Sequence, residues 1–135
     1  MEHRIYLSGP LFSQAEIAWG SRLKALLEDL NNVEILWPHE IASGSREQIF
    51  RANLQAMNEC DLMVAILDGP QVDDGTAWEV GYFFSQDKSI VGIRTDFRRA
   101  GETEKSKLNL MVECSCLAVA TSPDQLISEL KRILD

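Results

Sequence analysis

Asp68, Asp73, Asp74 and Glu79 crowd one short stretch, Asp68-Gly69-Pro70-Gln71-Val72-Asp73-Asp74-Gly75-Thr76-Ala77-Trp78-Glu79. Carboxylates gathered around one crevice suit glycosyl chemistry, in which one acts as nucleophile and another as general acid. Crowding raises the proton affinity of one of them, which keeps a proton ready for a leaving group. Glu79 falls in the early turns of a helix opened by Gly75-Thr76, where the dipole and free N–H groups favour an anion. An ionised carboxylate there can serve as nucleophile or base. Its neighbours Ala77, Trp78, Val80, Gly81, Tyr82, Phe83 and Phe84 make the helix apolar nearly all round. A glutamate in that setting is partly buried, and burial without a role is expensive. Plainer readings stand beside these. Glu79 could be a solvated helix carboxylate, Asp73 or Asp74 a helix cap, and Asp68 a turn stabiliser.

The stretch needs a support, and the apolar run Leu62–Leu67 ahead of it reads as a buried strand ending in Asp68-Gly69-Pro70. Ligands of open α/β sheets bind outside the carboxyl ends of such strands. Arg4–Ser8 reads as a first strand closed by Gly9-Pro10, strong turn punctuation. Ser13 with Glu16 forms a capping box for a helix reaching Leu30. Val33–Trp37 is a second strand stopped by Pro38, and His39–Ser45 a polar loop. Arg46–Cys60 carries a helical set of Ile49, Phe50, Ala52, Asn53, Leu54, Ala56 and Met57. After the helix Gly75–Gln86 come a strand Ser89–Ile93, a polar loop Arg94–Lys107, a short helix Leu108–Val112 and a strand Cys116–Ala120. Ser122 caps a last helix, Pro123–Leu134, with proline at its tolerated first position.

Strands alternating with helices imply right-handed crossovers and a parallel sheet. The expectation is a flavodoxin-like doubly wound α/β fold: five parallel strands in the order 2-1-3-4-5, with helices on both faces. The switch point then lies between strands one and three, placing Tyr6 and Ser8 beside Asp68. Residues 1–135 are read as a single domain.

The residues are 45% hydrophobic and 25% charged, an ordinary soluble balance, with net charge −8 and pI near 4.7. An acidic chain lacks the basic footprint of a nucleic-acid polymer site. No apolar run approaches the roughly 20 residues that span a bilayer, so no membrane role is expected. Met1-Glu2-His3-Arg4 leads straight into a strand with no leader core, and the expected location is the cytoplasm. Cys60, Cys114 and Cys116 form no disulfide framework and read as reduced thiols packed as small hydrophobes. There is no GxxxxGK[ST], GxGxxG or GxSxG. With histidine only at positions 3 and 39, a histidine-based triad is not expected.

Together, Tyr6-Leu7-Ser8-Gly9-Pro10-Leu11-Phe12, Asp68-Gly69, Asp73 through Tyr82, Thr95-Asp96-Phe97-Arg98 and Asn109-Leu110-Met111 resemble the nucleoside 2-deoxyribosyltransferase family nearly end to end. The resemblance implies a double displacement on 2′-deoxynucleosides with net retention. The glutamate matching Glu79 attacks the anomeric carbon, the base leaves, and a second base attacks the deoxyribosyl ester. The residues matching Asp68 and Asp73 bind and protonate the base, with Asp74 a cap or solvated neighbour. Tyr6 matches a tyrosine that orients the nucleophile. Asn109 and Met111 match residues lent by a neighbouring subunit, so a homo-oligomer with shared sites is expected. No metal or organic cofactor is implied. Ser8, Gly9, Phe12, Gly75 and Trp78 complete the expected substrate-binding set. Phe12, Trp37 and Trp78 offer stacking faces, although core packing suits Trp37 and Trp19 better. Two alternatives stay open: a 2′-deoxynucleoside 5′-monophosphate N-glycosidase of the same fold, and a non-catalytic nucleotide-binding module.

Overall fold

A computed structural model describes residues 3–135. Its sheet has five parallel strands, β1 (His3–Ser8), β2 (Val33–Leu36), β3 (Leu62–Ile66), β4 (Ser89–Ile93) and β5 (Ala118–Ala120), in the order β2-β1-β3-β4-β5. The helices are α1 (Gln14–Glu28), α2 (Pro38–Ile41), α3 (Arg46–Glu59), α4 (Asp74–Ser85), α5 (Leu110–Glu113) and α6 (Pro123–Leu134). All five residues of β3 are buried, as expected for a central strand covered on both faces. Tyr6 lies opposite Met63 and Ser8 opposite Ala65, so the carboxyl ends of β1 and β3 lie side by side at the switch point.

The period of two along the strands sorts the core into two layers. Ile5, Leu7, Val64, Ile66, Val91 and Ile93 pack with Leu23 and Leu27 of α1 and Leu126 and Leu130 of α6. Tyr6, Met63, Ala65 and Ile90 face the other way, onto Ala56 and Met57 of α3 and Val80 and Phe83 of α4. Tyr6 and Ser8, two residues apart, therefore point to the face that α4 covers. Gly9 keeps the next turn close, because a Cβ there would come within 2.9 Å of Ile66.

The structure departs from the sequence reading in several local places. Pro38 does not merely end β2 but opens α2, a four-residue helix within the expected loop. The edge strand β5 is shorter than Cys116–Ala120, because Cys114–Cys116 still hydrogen-bond back to α5. Glu16 does not close a box on Ser13. Its carboxylate accepts the Phe12 N–H at 2.8 Å, which pins the segment ahead of the cap. The complete capping box is at α3, between Ser45 and Gln48. No helix among the described residues is long and apolar enough to cross a membrane.

Candidate active site

Glu79 is the centre of the site. The Tyr6 hydroxyl donates to its Oε2 at 2.6 Å, and the Ser8 hydroxyl to its Oε1 at 2.6 Å. Both donors come from one face of β1 and both are fully buried, so the carboxylate is held at each oxygen by a rigid strand. Burial pushes the proton affinity of Glu79 up, the Ser8 and Tyr6 hydrogen bonds pull it down, and the charge of Asp73 adds to the rise. Burial outweighs the two donors, so the crowded carboxyl that gains proton affinity is the nucleophile candidate itself. Tyr6 is pushed well above the usual phenol range, first by burial and then by the Glu79 charge. It stays protonated and acts as a donor, not a base.

Two cavities share a wall made of Asn53, Gly75 and Glu79. The larger, about 420 Å³, is bounded also by Gly9, Leu11, Phe12, His39, Asp73 and Thr76. The smaller, about 280 Å³, is bounded by Phe50, Leu54, Met57 and Trp78. Trp78 stacks on Tyr82 at 5.4 Å and meets Phe50 edge-on at 5.9 Å, giving the smaller cavity a flat aromatic side. Phe12 stands at the mouth of the larger one, 82% exposed. No lysine or arginine lines either cavity.

Asp73 is both cap and cavity residue. Its Oδ2 accepts the Thr76 N–H at 2.9 Å and the Thr76 hydroxyl at 3.0 Å, which starts α4. Asp74 instead binds the Gly75 N–H and lines the opposite flank of α4. Asp68 lines neither of the two cavities that Glu79 borders. Its Oδ1 accepts the N–H groups of Thr95 and Asp96 at 2.6 and 2.9 Å, and its Oδ2 the Thr95 hydroxyl at 3.0 Å. Three donors from the chain after β4 capture this carboxylate, and it borders a separate depression with Pro10, Trp19 and Arg98. Asn109 caps α5, its side chain accepting the Met111 N–H at 2.8 Å. Asn109 and Met111 line a groove of about 670 Å³ with Asp74, Gly81 and Phe84, which Glu79 does not border.

Asn53 is the residue that the sequence reading missed. It was counted in the apolar set of α3, yet it borders both cavities, and its amide oxygen is buried with no partner. An amide inside an otherwise apolar helical stripe was the available signal, since buried polar groups are seldom left unpaired.

The family model for nucleoside 2-deoxyribosyltransferases matches residues 5–111, which holds every residue of the site. An uncharacterized protein of Ureaplasma parvum serovar 3 is 32% identical over 101 residues, 64% of this chain and 63% of that protein. The chain thus spans less than two-thirds of that relative. A 2-deoxyribosyltransferase from Bacillus psychrosaccharolyticus superimposes with a TM-score of 0.73 at 25% identity, covering 90% of this chain and 88% of that one. A 2-desoxiribosyltransferase from Leishmania mexicana has the same fold, with a TM-score of 0.79 at 22% identity over 96% and 97% of the two chains. A glutamate clamped by Tyr6 and Ser8 at the switch point of this sheet, within a family match over most of the chain, leads to one assignment: the chain belongs to the nucleoside 2-deoxyribosyltransferase family.

Proposed function

We propose that the protein moves the 2-deoxyribosyl group of a 2′-deoxynucleoside to an acceptor purine or pyrimidine base. The observation that carries this reading is the clamped Glu79 carboxylate in the wall shared by the two cavities. A Glu79 oxygen attacks C1′, the C1′–N bond breaks, and the departing base takes the electron pair together with a proton. Asp73, in the larger cavity, is the proton source. The acceptor base then attacks C1′ with a ring nitrogen, the ester bond to Glu79 breaks, and the acceptor's proton returns to Asp73. Two inversions give retention.

The physical chemistry of the site supports this order. The transition state is oxocarbenium-like, and anions beside it stabilise its positive charge. A developing cation also favours the ionised form of Glu79 at the moment it must attack, offsetting the effect of burial. The Tyr6 and Ser8 donors fix the carboxylate without neutralising it. The unpartnered Asn53 amide offers a neutral hydrogen-bonding edge to base or sugar.

The charge of the cavities favours nucleosides over nucleotides. A 5′-phosphate needs cations or helix N-termini. Here the N-terminus of α4, which reaches the cavity, is already capped by the Asp73 carboxylate, and the lining holds Asp73 and Glu79 but no lysine or arginine. Asn109 and Met111 are assigned to a neighbouring copy's site, because they lie outside their own protomer's cavities.

The test is base exchange: deoxyinosine with free adenine should yield deoxyadenosine, and the protein should gain the mass of one deoxyribosyl group on Glu79. Glu79→Ala should lower exchange by about a thousandfold or more, as loss of a nucleophile does. Release of free hypoxanthine and deoxyribose without exchange would make the protein a hydrolase. Exchange surviving in the Ala variant would overturn the assignment of Glu79.

A further inference from the structure

Arg94 is a buried cation with no carboxylate partner among the described residues. It is 2% exposed at the carboxyl end of β4. Its Nη1 donates to the Leu67 carbonyl at 2.6 Å and its Nη2 to the Arg98 carbonyl at 2.8 Å, while Nε has no acceptor. Burying an unpaired guanidinium is costly, so two backbone carbonyls alone are a weak return unless the position they fix matters. Leu67 is where the chain leaves β3 for the turn that ends at Asp73. Arg98 lies in the segment after β4. Arg94 therefore ties the end of β3 to that segment.

Asp68, the next residue after Leu67, ties the same two pieces with its side chain. It receives the N–H groups of Thr95 and Asp96 and the Thr95 hydroxyl. Asp96 answers by accepting the Gly69 N–H at 3.0 Å, while Arg98 closes on Asp96 through Nε and Nη2 at 2.9 and 2.6 Å. Gly69, at φ +119°, makes the bend that this requires. Five of these bonds cross between residues 67–69 and residues 94–96, the others brace residues 94–98 internally, and none of these residues lines the two cavities beside Glu79. The turn so held delivers Asp73, the cap of α4 and the neighbour whose charge acts on Glu79.

We infer that Arg94 and Asp68 are positioning residues, a knot that sets where Asp73 and the first turn of α4 stand over Glu79. This role for Asp68 replaces the base-binding one expected from the sequence, and its catalytic consequence rests on the proposed transfer reaction. Asparagine at position 68 keeps an oxygen for the Thr95 and Asp96 N–H groups, and the Thr95 hydroxyl can turn to accept from the new amide. Alanine keeps nothing.

The experiment compares Asp68→Ala, Asp68→Asn and Arg94→Met by amide hydrogen exchange, by kcat and KM, and by the pH–rate profile. The Ala and Met variants should speed exchange at the Gly69, Thr95 and Asp96 amides by about tenfold or more, the size of one lost charge-assisted bond. They should raise KM by about the same factor, and the Glu79 limb should move to lower pH as the Asp73 charge leaves its place. Asp68→Asn should restore protection, kcat and KM to within about threefold of the parent protein. Unchanged amide exchange in the Ala and Met variants would overturn the knot. So would an Asp68→Asn variant that keeps its amides protected but loses turnover and a limb of the profile, because Asp68 would then act on the substrate. If the parent protein exchanges no bases, the reaction reading fails while the amide protection still decides the knot.

Discussion

At the residue scale the balance on Glu79 sets the pH behaviour. Its folded-state proton affinity is raised, with burial the largest cause. Such a group stabilises the fold when protonated, below its unfolded pKa, and that contribution is lost as pH rises through the folded pKa. Glu79→Gln should therefore raise Tm above that of the parent protein near pH 8, with the gain vanishing near pH 4. Thermal melts at the two pH values check this, and a gain that is equal at both would refute it. Removing a donor works in the opposite sense on the carboxylate. Tyr6→Phe and Ser8→Ala each take away a bond to the charged form, so the acidic limb of kcat/KM should move to higher pH. Turnover at neutral pH should fall by roughly tenfold for each, the value of a hydrogen bond to a charge. Of this trio only the Tyr6–Glu79 link was legible, through the family resemblance; the strand order set Tyr6 and Ser8 beside Asp68, and the Ser8 bond to Glu79 was not foreseen. The place of Asp68 was not legible either, because its captors Thr95 and Asp96 are 27 and 28 residues away. Only the pairing of β3 with β4 brings them together.

At the element scale Asp73 joins two functions that substitution can separate. As the cap of α4 it accepts from Thr76, and asparagine caps equally well. As a charge it raises the proton affinity of Glu79, which asparagine does not. Asp73→Asn should melt within about 0.5 kcal/mol of the parent protein, while Asp73→Ala should lose about 1 kcal/mol. Both should move the Glu79 limb to lower pH, and both should slow release of poor leaving-group bases if Asp73 supplies the proton. A limb that stays put in Asp73→Asn would mean that the two carboxylates do not sense each other. The turn after β1 is equally constrained. Gly9→Ala would force a methyl against Ile66 and should cost roughly 1–3 kcal/mol by overpacking. The strands and the longer helices were readable from the apolar period, and the strand order from the doubly wound pattern they form; which helix covers which face was not. Helix α2 was not, because Pro38 is compatible both with ending a strand and with opening a helix, and only the tertiary setting of Trp37, 4% exposed, chooses between them.

At the scale of the whole molecule, α4 divides two apolar depressions. One flank presents Phe50 and Trp78 beside Glu79, each about half exposed. The other presents Phe84 and Met111 beside Asn109, with Met111 71% exposed. Large apolar side chains exposed in neighbouring patches mark surfaces that associate. A twofold interface has each patch on one copy meet its complement on the other, so one axis near α4 would set Asn109 and Met111 against the neighbouring copy's Glu79 cavity, twice over. The acidic net charge of −8 opposes loose association between copies, which leaves shape and apolar area to select this face. The arrangement predicts complementation. On the proposed reading, a Glu79→Gln protein lacks the nucleophile but keeps the residues lent to a neighbour, and an Asn109→Ala, Met111→Ala protein has the reverse defect. Each should exchange bases poorly alone. Mixed under conditions that let subunits re-pair, they should regain activity above the sum of the two, because the mixed pair contains one site with every part. A mixture that exchanges subunits, as seen by native mass spectrometry, yet shows only the summed rates would mean that each protomer completes its own site.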